Sequence, residues 1–402
     1  MLPHFPAGSL KNTNTGAKPM RSATSLYLDL VRFAAAMTVF LAHFQFQTSH
    51  NFAPYWAAIP FWDRHLSSYS QIAVTVFFVL SGYVIAHVMA TRERTLIEYA
   101  ASRFGRLYSV VLPALILAAA CSYFVKLKNP AAYPEFASLD NTSAALHYLG
   151  TALFVSHFWL WPDLEPPNAH AMWSLSFECS YYVAIALVVF ANGRTRLLCI
   201  LLLSMFAGPT VILMAPTWMV GYAAYYVRHH RQLHPGIAIV LWMVFVFLLL
   251  LCPLILEHVR VPLEFLRMPD KHLGELLASY AAAICFATSL LAFDAFSEKT
   301  EPVILPFAGL VRWLGSMTFA LYLFHQPLLA FLRVYRIVLP STAPVFSLIW
   351  MFGGTFLIAA TLGRFCEQSK GAYKRCFVSI WKGAARLHRR FARKAEAPST
   401  IW

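Results

Sequence analysis

Charge is what this sequence has least of. Asp, Glu, Lys and Arg make up 12% of 402 residues, against roughly 25% in a soluble globular domain. That shortage excludes an ordinary water-soluble fold. Period-two alternation of apolar and polar residues is also missing, which argues against a membrane β-barrel. The seven cysteines, at 121, 179, 199, 252, 285, 366 and 376, contain no CxxC spacing. Neither a metal site nor a disulfide framework is indicated, and a cysteine in an apolar run is an ordinary small core residue. The first 25 residues lack the apolar stretch of a cleavable signal peptide. Polar and rich in turn formers, they read as a flexible cytoplasmic tail. No internal repeat and no second globular domain is visible.

What the chain has instead is apolar length. Hydrophobic residues make up 59%, and the mean hydropathy is +0.58. A helix needs about 20 apolar residues to cross a bilayer, and many such runs are present. The reading is an all-α, polytopic membrane protein with about ten transmembrane helices around a polar chamber. The ten spans fall near 27–46, 70–90, 107–125, 173–190, 197–213, 216–227, 237–256, 275–293, 313–332 and 344–363. The segment 143–161 reads as an interfacial helix, because Pro162, Pro166 and Pro167 follow it and its aromatics cluster as in an interface belt.

The net charge of +14 does not point to nucleic acid. Much of it lies from Lys370 onward, interleaved with Phe377, Trp381 and Phe391. That mixture suits an anionic membrane surface. The basic tail also orients the chain, with both termini cytoplasmic in the inner membrane. Three regions result: a tail over 1–25, a membrane domain over 26–370 and a basic amphipathic tail over 371–402.

Five polar stations interrupt the spans, and ionisable groups at membrane depth are costly and usually functional. In the first span, Arg32 and His43 are eleven residues apart. That is three helical turns plus about 20°, so both lie on one face, about 16 Å apart along the axis. Asp29, three residues before Arg32, shares the face. The alternative is a structural ion pair plus a buried histidine. In the second span, Ser81-Gly82 lets another backbone approach closely. Arg103 and Arg106, one turn apart at the mouth of the third span, suit phosphate binding or a positive-inside anchor. Glu178 shares a face with Ser174 and Tyr182, at a depth that counting from the helix ends matches to His43. His325, before Gln326-Pro327, places a second imidazole at that depth.

Together and in this order, these pieces resemble the bacterial membrane acyltransferase type 3 family, which includes O-antigen and exopolysaccharide acetylases. The family's opening Leu-Asp-x-x-Arg and histidine are matched by Leu28-Asp29-Leu30-Val31-Arg32 and His43. Its FFxxSG is matched by Phe77 to Gly82, its arginine pair by Arg103 and Arg106, its Trp-Ser-Leu-x-x-Glu by Trp173 to Glu178 and its Tyr-Leu-x-His by Tyr322 to His325. Glu367 matches a terminal glutamate, with Gln368 where a proline often follows. The likeness covers about residues 26–370.

The resemblance implies transfer of an acyl group, usually acetyl from acetyl-CoA, to a hydroxyl of a sugar or similar acceptor. The donor is then a co-substrate, with no permanently bound cofactor and no metal. The expected donor-binding residues are Arg32, Arg103, Arg106, Asp29 and Ser81. The expected catalytic residues are His43, Glu178 and His325, with His43 as general base and Glu178 orienting or balancing an imidazole. Trp173, Ser174, Tyr182 and Tyr322 are the expected acceptor contacts, and Ser81 or Tyr322 is a candidate donor to the thioester oxygen. The partners implied are acyl-CoA, a carbohydrate or glycolipid acceptor and the lipid bilayer. A homo-oligomer is compatible. The outer loop 126–170, with Trp159, Trp161, Asp163 and Glu165, suits a sugar platform or an interface belt. The rival readings are a secondary transporter of a small solute, which would favour inverted repeats, a structural subunit, and an acyltransferase of another type with a His/Asn pair.

Overall fold

In the computed structural model, residues 20–129, 141–160, 164–228, 233–256, 259, 262–263, 268–335 and 344–395 are described. They form eleven α-helices: α1 (Ser22–Ala57), α2 (Pro60–Thr91), α3 (Leu96–Lys128), α4 (Asn141–Ala152), α5 (Trp173–Phe190), α6 (Gly193–Ala207), α7 (Pro209–Val227), α8 (Pro235–Leu256), α9 (Leu273–Ile304), α10 (Ala308–Tyr335) and α11 (Pro344–Ala395). The extended structure among these residues is one antiparallel ribbon, β1 (Pro262–Leu263) with β2 (Met268–His272). The protein is an all-α, multi-pass membrane protein. Among the described residues, eight segments are long and apolar enough to cross a membrane, and one of them, Leu273–Tyr335, contains both α9 and α10. The tail over residues 1–19, and Trp161 and Asp163 of the expected sugar platform, lie outside the described residues.

Local sequence explains where the helices begin and end. Thr95 and Glu98 form a reciprocal capping box at the start of α3. The fifth span was expected to run to residue 213. It ends instead at Gly208, whose φ of 87° only glycine adopts readily, and Pro209 then opens α7 at the favoured N1 position. The resulting α6 has 15 residues, about 22 Å, short of the roughly 30 Å hydrocarbon core. With 12 residues, α4 is shorter still. α11 passes through residue 371 without a break, so the basic tail continues the last helix rather than forming a separate element.

Small residues bring the site-bearing helices together. A Cβ on Gly82 would lie 2.1 Å from the Trp218 carbonyl oxygen, and one on Gly221 would lie 1.9 Å from that of Val79. The backbones of α2 and α7 therefore touch, as small residues allow in membrane helix pairs. A Cβ on Gly315 would lie 2.8 Å from that of Asp29, so α10 packs directly on the carboxylate station of α1. Before α5, the chain dips into the bundle. Residues 165–169 are buried, and Asn168 takes a left-handed φ of 56°, which asparagine tolerates better than most residues. Gln326 Oε1 accepts a 2.6 Å hydrogen bond from the Ala171 N–H and ties this segment to α10.

Candidate active site

The two imidazoles meet. His325 Nε2 lies 3.0 Å from His43 Nδ1. The backbone decides who donates. His325 Nδ1 is 2.9 Å from the Leu321 carbonyl, and His43 Nδ1 is 3.0 Å from the Val39 carbonyl. A carbonyl oxygen only accepts, so both Nδ1 atoms carry hydrogen. His325 Nε2 is then a lone pair, and the His43 Nδ1–H is shared between Val39 and His325. This arrangement leaves His43 Nε2 unprotonated, with no protein hydrogen-bond partner among the described residues. His325 is fully buried, whereas His43 is partly open. His325 therefore positions His43 and fixes its tautomer, a role distinct from the catalytic one expected of it.

One turn deeper, Ser174 and Tyr322 hydroxyls are 2.9 Å apart. Deeper again, Glu178 Oε1 accepts from Ser81 Oγ at 2.8 Å and from the Tyr182 hydroxyl. Trp218 Nε1 donates to Ser81 at 3.2 Å, a contact the Gly82 approach permits. Two expectations need correction. Glu178 is not at the depth of His43. The Ala171–Gln326 and Ser174–Tyr322 contacts run α5 antiparallel to α10, so three residues on α10 and four on α5 separate Glu178 from His325 by about 10 Å. Counting from the helix end failed because α5 starts inside the bundle. Glu178 therefore orients neither imidazole. Ser81 is also not a spare donor for a thioester oxygen, since its proton points to a carboxylate that only accepts.

The cations divide into two kinds. Asp29 accepts from Arg32 at 3.1 Å and from Arg312 at 2.6 Å. Arg103 does not line the cavity. It donates to both Glu93 oxygens, at 2.8 and 3.1 Å, with both side chains only 9% exposed, and lies between the rings of Tyr99 and Tyr182. Its charge is consumed inside the fold, which corrects its expected phosphate-binding role. Arg106, by contrast, has no hydrogen-bond partner among the described residues. It lines a cavity of about 60 Å³ with Arg32, Ser81, Ser174, Glu178 and Tyr322, walled by Phe77 and Phe319. Trp173 stands outside that cavity, edge-on to Phe177 and beside His157.

Arg32, Arg106, Ser81, Ser174, Glu178 and Tyr322 are thus brought together. His43 and His325 sit beyond them, and Asp29 lies behind Arg32. Arg312, Trp218, Glu93 and Gln326 were among the contact residues given no site role from sequence. Arg312, Trp218 and Glu93 come from distant turns of other segments, where helical periodicity carries no signal. Gln326 follows His325 directly, and its adjacency to that histidine was the one available hint. Among the described residues, no group of three or more His, Cys, Asp or Glu is arranged to hold a metal ion.

A buried imidazole pair above an arginine-lined cavity in a multi-pass helical bundle is the layout of a membrane-embedded enzyme. The family model for the acyltransferase domain of the acyltransferase 3 type matches residues 25–364. The chain belongs to that family and is a membrane acyltransferase. No curated protein and no solved structure matches it significantly.

Proposed function

We propose that this protein moves an acyl group, acetyl in the first instance, from acyl-CoA to a hydroxyl of a cell-surface or exported carbohydrate or glycolipid. It works in the inner membrane with both termini cytoplasmic. The observation that carries the reading is His43, whose Nδ1 lies 3.0 Å from both the Val39 carbonyl and His325 Nε2 and whose Nε2 has no protein hydrogen-bond partner among the described residues, beyond a cavity lined by Arg106. Arg106, with Arg32, takes the donor's phosphate end. Arg32 and His43 are about 16 Å apart along α1, and the pantetheine arm covers that interval to bring the thioester toward the imidazole.

The chemistry then balances at His43. The acceptor O–H gives its proton to Nε2 as its oxygen attacks the thioester carbon. The new C–O bond forms, the C–S bond breaks, and the leaving thiolate takes the proton from the imidazolium. General-base help of this kind supplies typically 10²–10⁴ in rate. Glu178 belongs to the donor end of the path, where it faces the Arg32 and Arg106 charges. Ser174 and Tyr322 lie between the two ends and line the route of the reacting groups.

The test uses membranes from cells expressing the wild type or His43→Ala. Radiolabelled acetyl-CoA is added, and label is counted in the extracted glycan and lipid fractions. Incorporation that disappears in His43→Ala is the expected result. Equal incorporation by the two proteins would overturn the mechanism.

A further inference from the structure

The cavity holds Arg106 but is far too small for the nucleotide half of an acyl-CoA, which must bind elsewhere. The continuation of α11 offers the place. Gly105, the residue before Arg106, faces α11 so closely that a Cβ would lie 3.0 Å from the Lys370 carbonyl oxygen and 3.2 Å from the Lys374 Cβ. Lys374 is thus the cation of α11 packed beside the turn of α3 that leads into Arg106. Lys370 is half-occupied by Glu367, 3.0 Å away. One turn on, Phe377 packs against Phe104 in a tilted arrangement, with ring centroids 4.9 Å apart. Trp381 follows, 5.9 Å from Phe377 and 43% exposed. Residues 370, 374, 377 and 381 are spaced by four, three and four, so they share one helix face. From Arg364 to Ala395 the helix has ten Lys and Arg and a single acid, Glu367.

We infer that this face of α11 is the docking site for the 3′-phosphoadenosine diphosphate of the donor. The inference rests on the acyl-CoA reading above. Its support is charge complementarity to a polyanion, an open indole for an adenine ring to stack on, and proximity to Arg106, whose neighbour Gly105 packs on α11 and whose charge Glu367 of α11 attracts. Lys374 takes phosphate and Trp381 takes the base, while Arg106 holds the diphosphate where the arm enters the bundle. Anionic phospholipid headgroups share the phosphate chemistry but have no base to stack.

The test measures binding of labelled acetyl-CoA to the full chain in neutral phosphatidylcholine nanodiscs. Two competitors are titrated: adenosine 3′,5′-bisphosphate, which is the nucleotide part alone, and S-acetyl-pantetheine, which lacks it. Lys374→Gln/Trp381→Ala is compared with wild type, and direct binding of labelled S-acetyl-pantetheine shows that each protein is folded. In the variant, the bisphosphate is expected to weaken at least tenfold as a competitor, while S-acetyl-pantetheine binds as in wild type. Unchanged competition by the bisphosphate, or equal losses for both ligands, would overturn the site and leave the acyl-CoA reading intact. A nucleotide effect seen only when anionic lipid is added would assign the face to headgroups and also overturn it. A wild type that binds no acetyl-CoA would remove the donor reading itself.

Discussion

The two histidines should separate sharply in a mutant series. The His325 Nε2 lone pair and the Val39 carbonyl share one hydrogen on His43 Nδ1, at 3.0 Å each. Replacing His325 by Leu removes one of these acceptors and leaves the other. A net hydrogen bond of this kind is worth about 1 kcal/mol, so the expected loss in kcat is about fivefold. His325→Gln keeps an acceptor oxygen on the side chain and should lie closer to wild type. His43→Ala removes the base and should cost 10²–10⁴. The assay is initial-rate transfer from labelled acetyl-CoA in membranes, with thermal unfolding in detergent as the control for folding. If His325→Leu loses as much activity as His43→Ala while its unfolding temperature is unchanged, His325 transfers protons itself. The tautomer argument is then wrong.

Other consequences follow from the packing. Gly82→Ala drives a Cβ to 2.1 Å from the Trp218 carbonyl oxygen. That is a backbone, not a flexible side chain, so α2 and α7 must part. The destabilisation should reach about 3 kcal/mol, the upper end for overpacking, and a thermal melt of the purified protein will read it. Arg103→Ala strands Glu93 without its counter-ion and should cost about 3–5 kcal/mol, seen as a large fall in unfolding temperature. Arg103→Met with Glu93→Leu should recover most of that loss. A double variant that stays as unstable as the single one would refute the structural reading of this pair.

The legible part of the fold was the part that period and length control. Apolar runs located the long helices, and the eleven-residue interval put Arg32 and His43 on one face of α1. The Ser81-Gly82 pair was readable as a close backbone contact, because only glycine permits one. Its partner was not readable, since Gly221 lies on another helix 139 positions away. Depth was the weak point. Glu178 was placed by counting from a presumed interface, but residues 165–169 are buried and carry the start of α5 inward. Arg103 and Arg106 look equivalent in sequence. They differ because Glu93, on the connection between α2 and α3, neutralises one and not the other. Such pairings depend on where separate segments meet, which no local pattern encodes.

The charges around the cavity show why Arg106 is the residue to remove first. Arg32 and Arg312 both bind Asp29, and Glu178 is held by two hydroxyls rather than by a cation. With Glu367 and its Lys370 partner counted, four cations stand against three carboxylates, and Arg106, which Glu178 and Glu367 attract only through space, is the cation without a hydrogen-bonded partner among the described residues. In a medium of low dielectric that excess favours an anionic ligand more than it would in water. Deleting it breaks no ion pair or hydrogen bond among the described residues. Arg106→Ala should therefore unfold at nearly the wild-type temperature, unlike Arg103→Ala, while its affinity for labelled acetyl-CoA falls at least tenfold, as expected for loss of one charge-assisted contact. Both quantities come from one purified sample, by thermal melt and by equilibrium binding. An Arg106→Ala protein that binds donor normally would show that the excess charge serves packing, and the donor path would have to start at Arg32 and Arg312 instead.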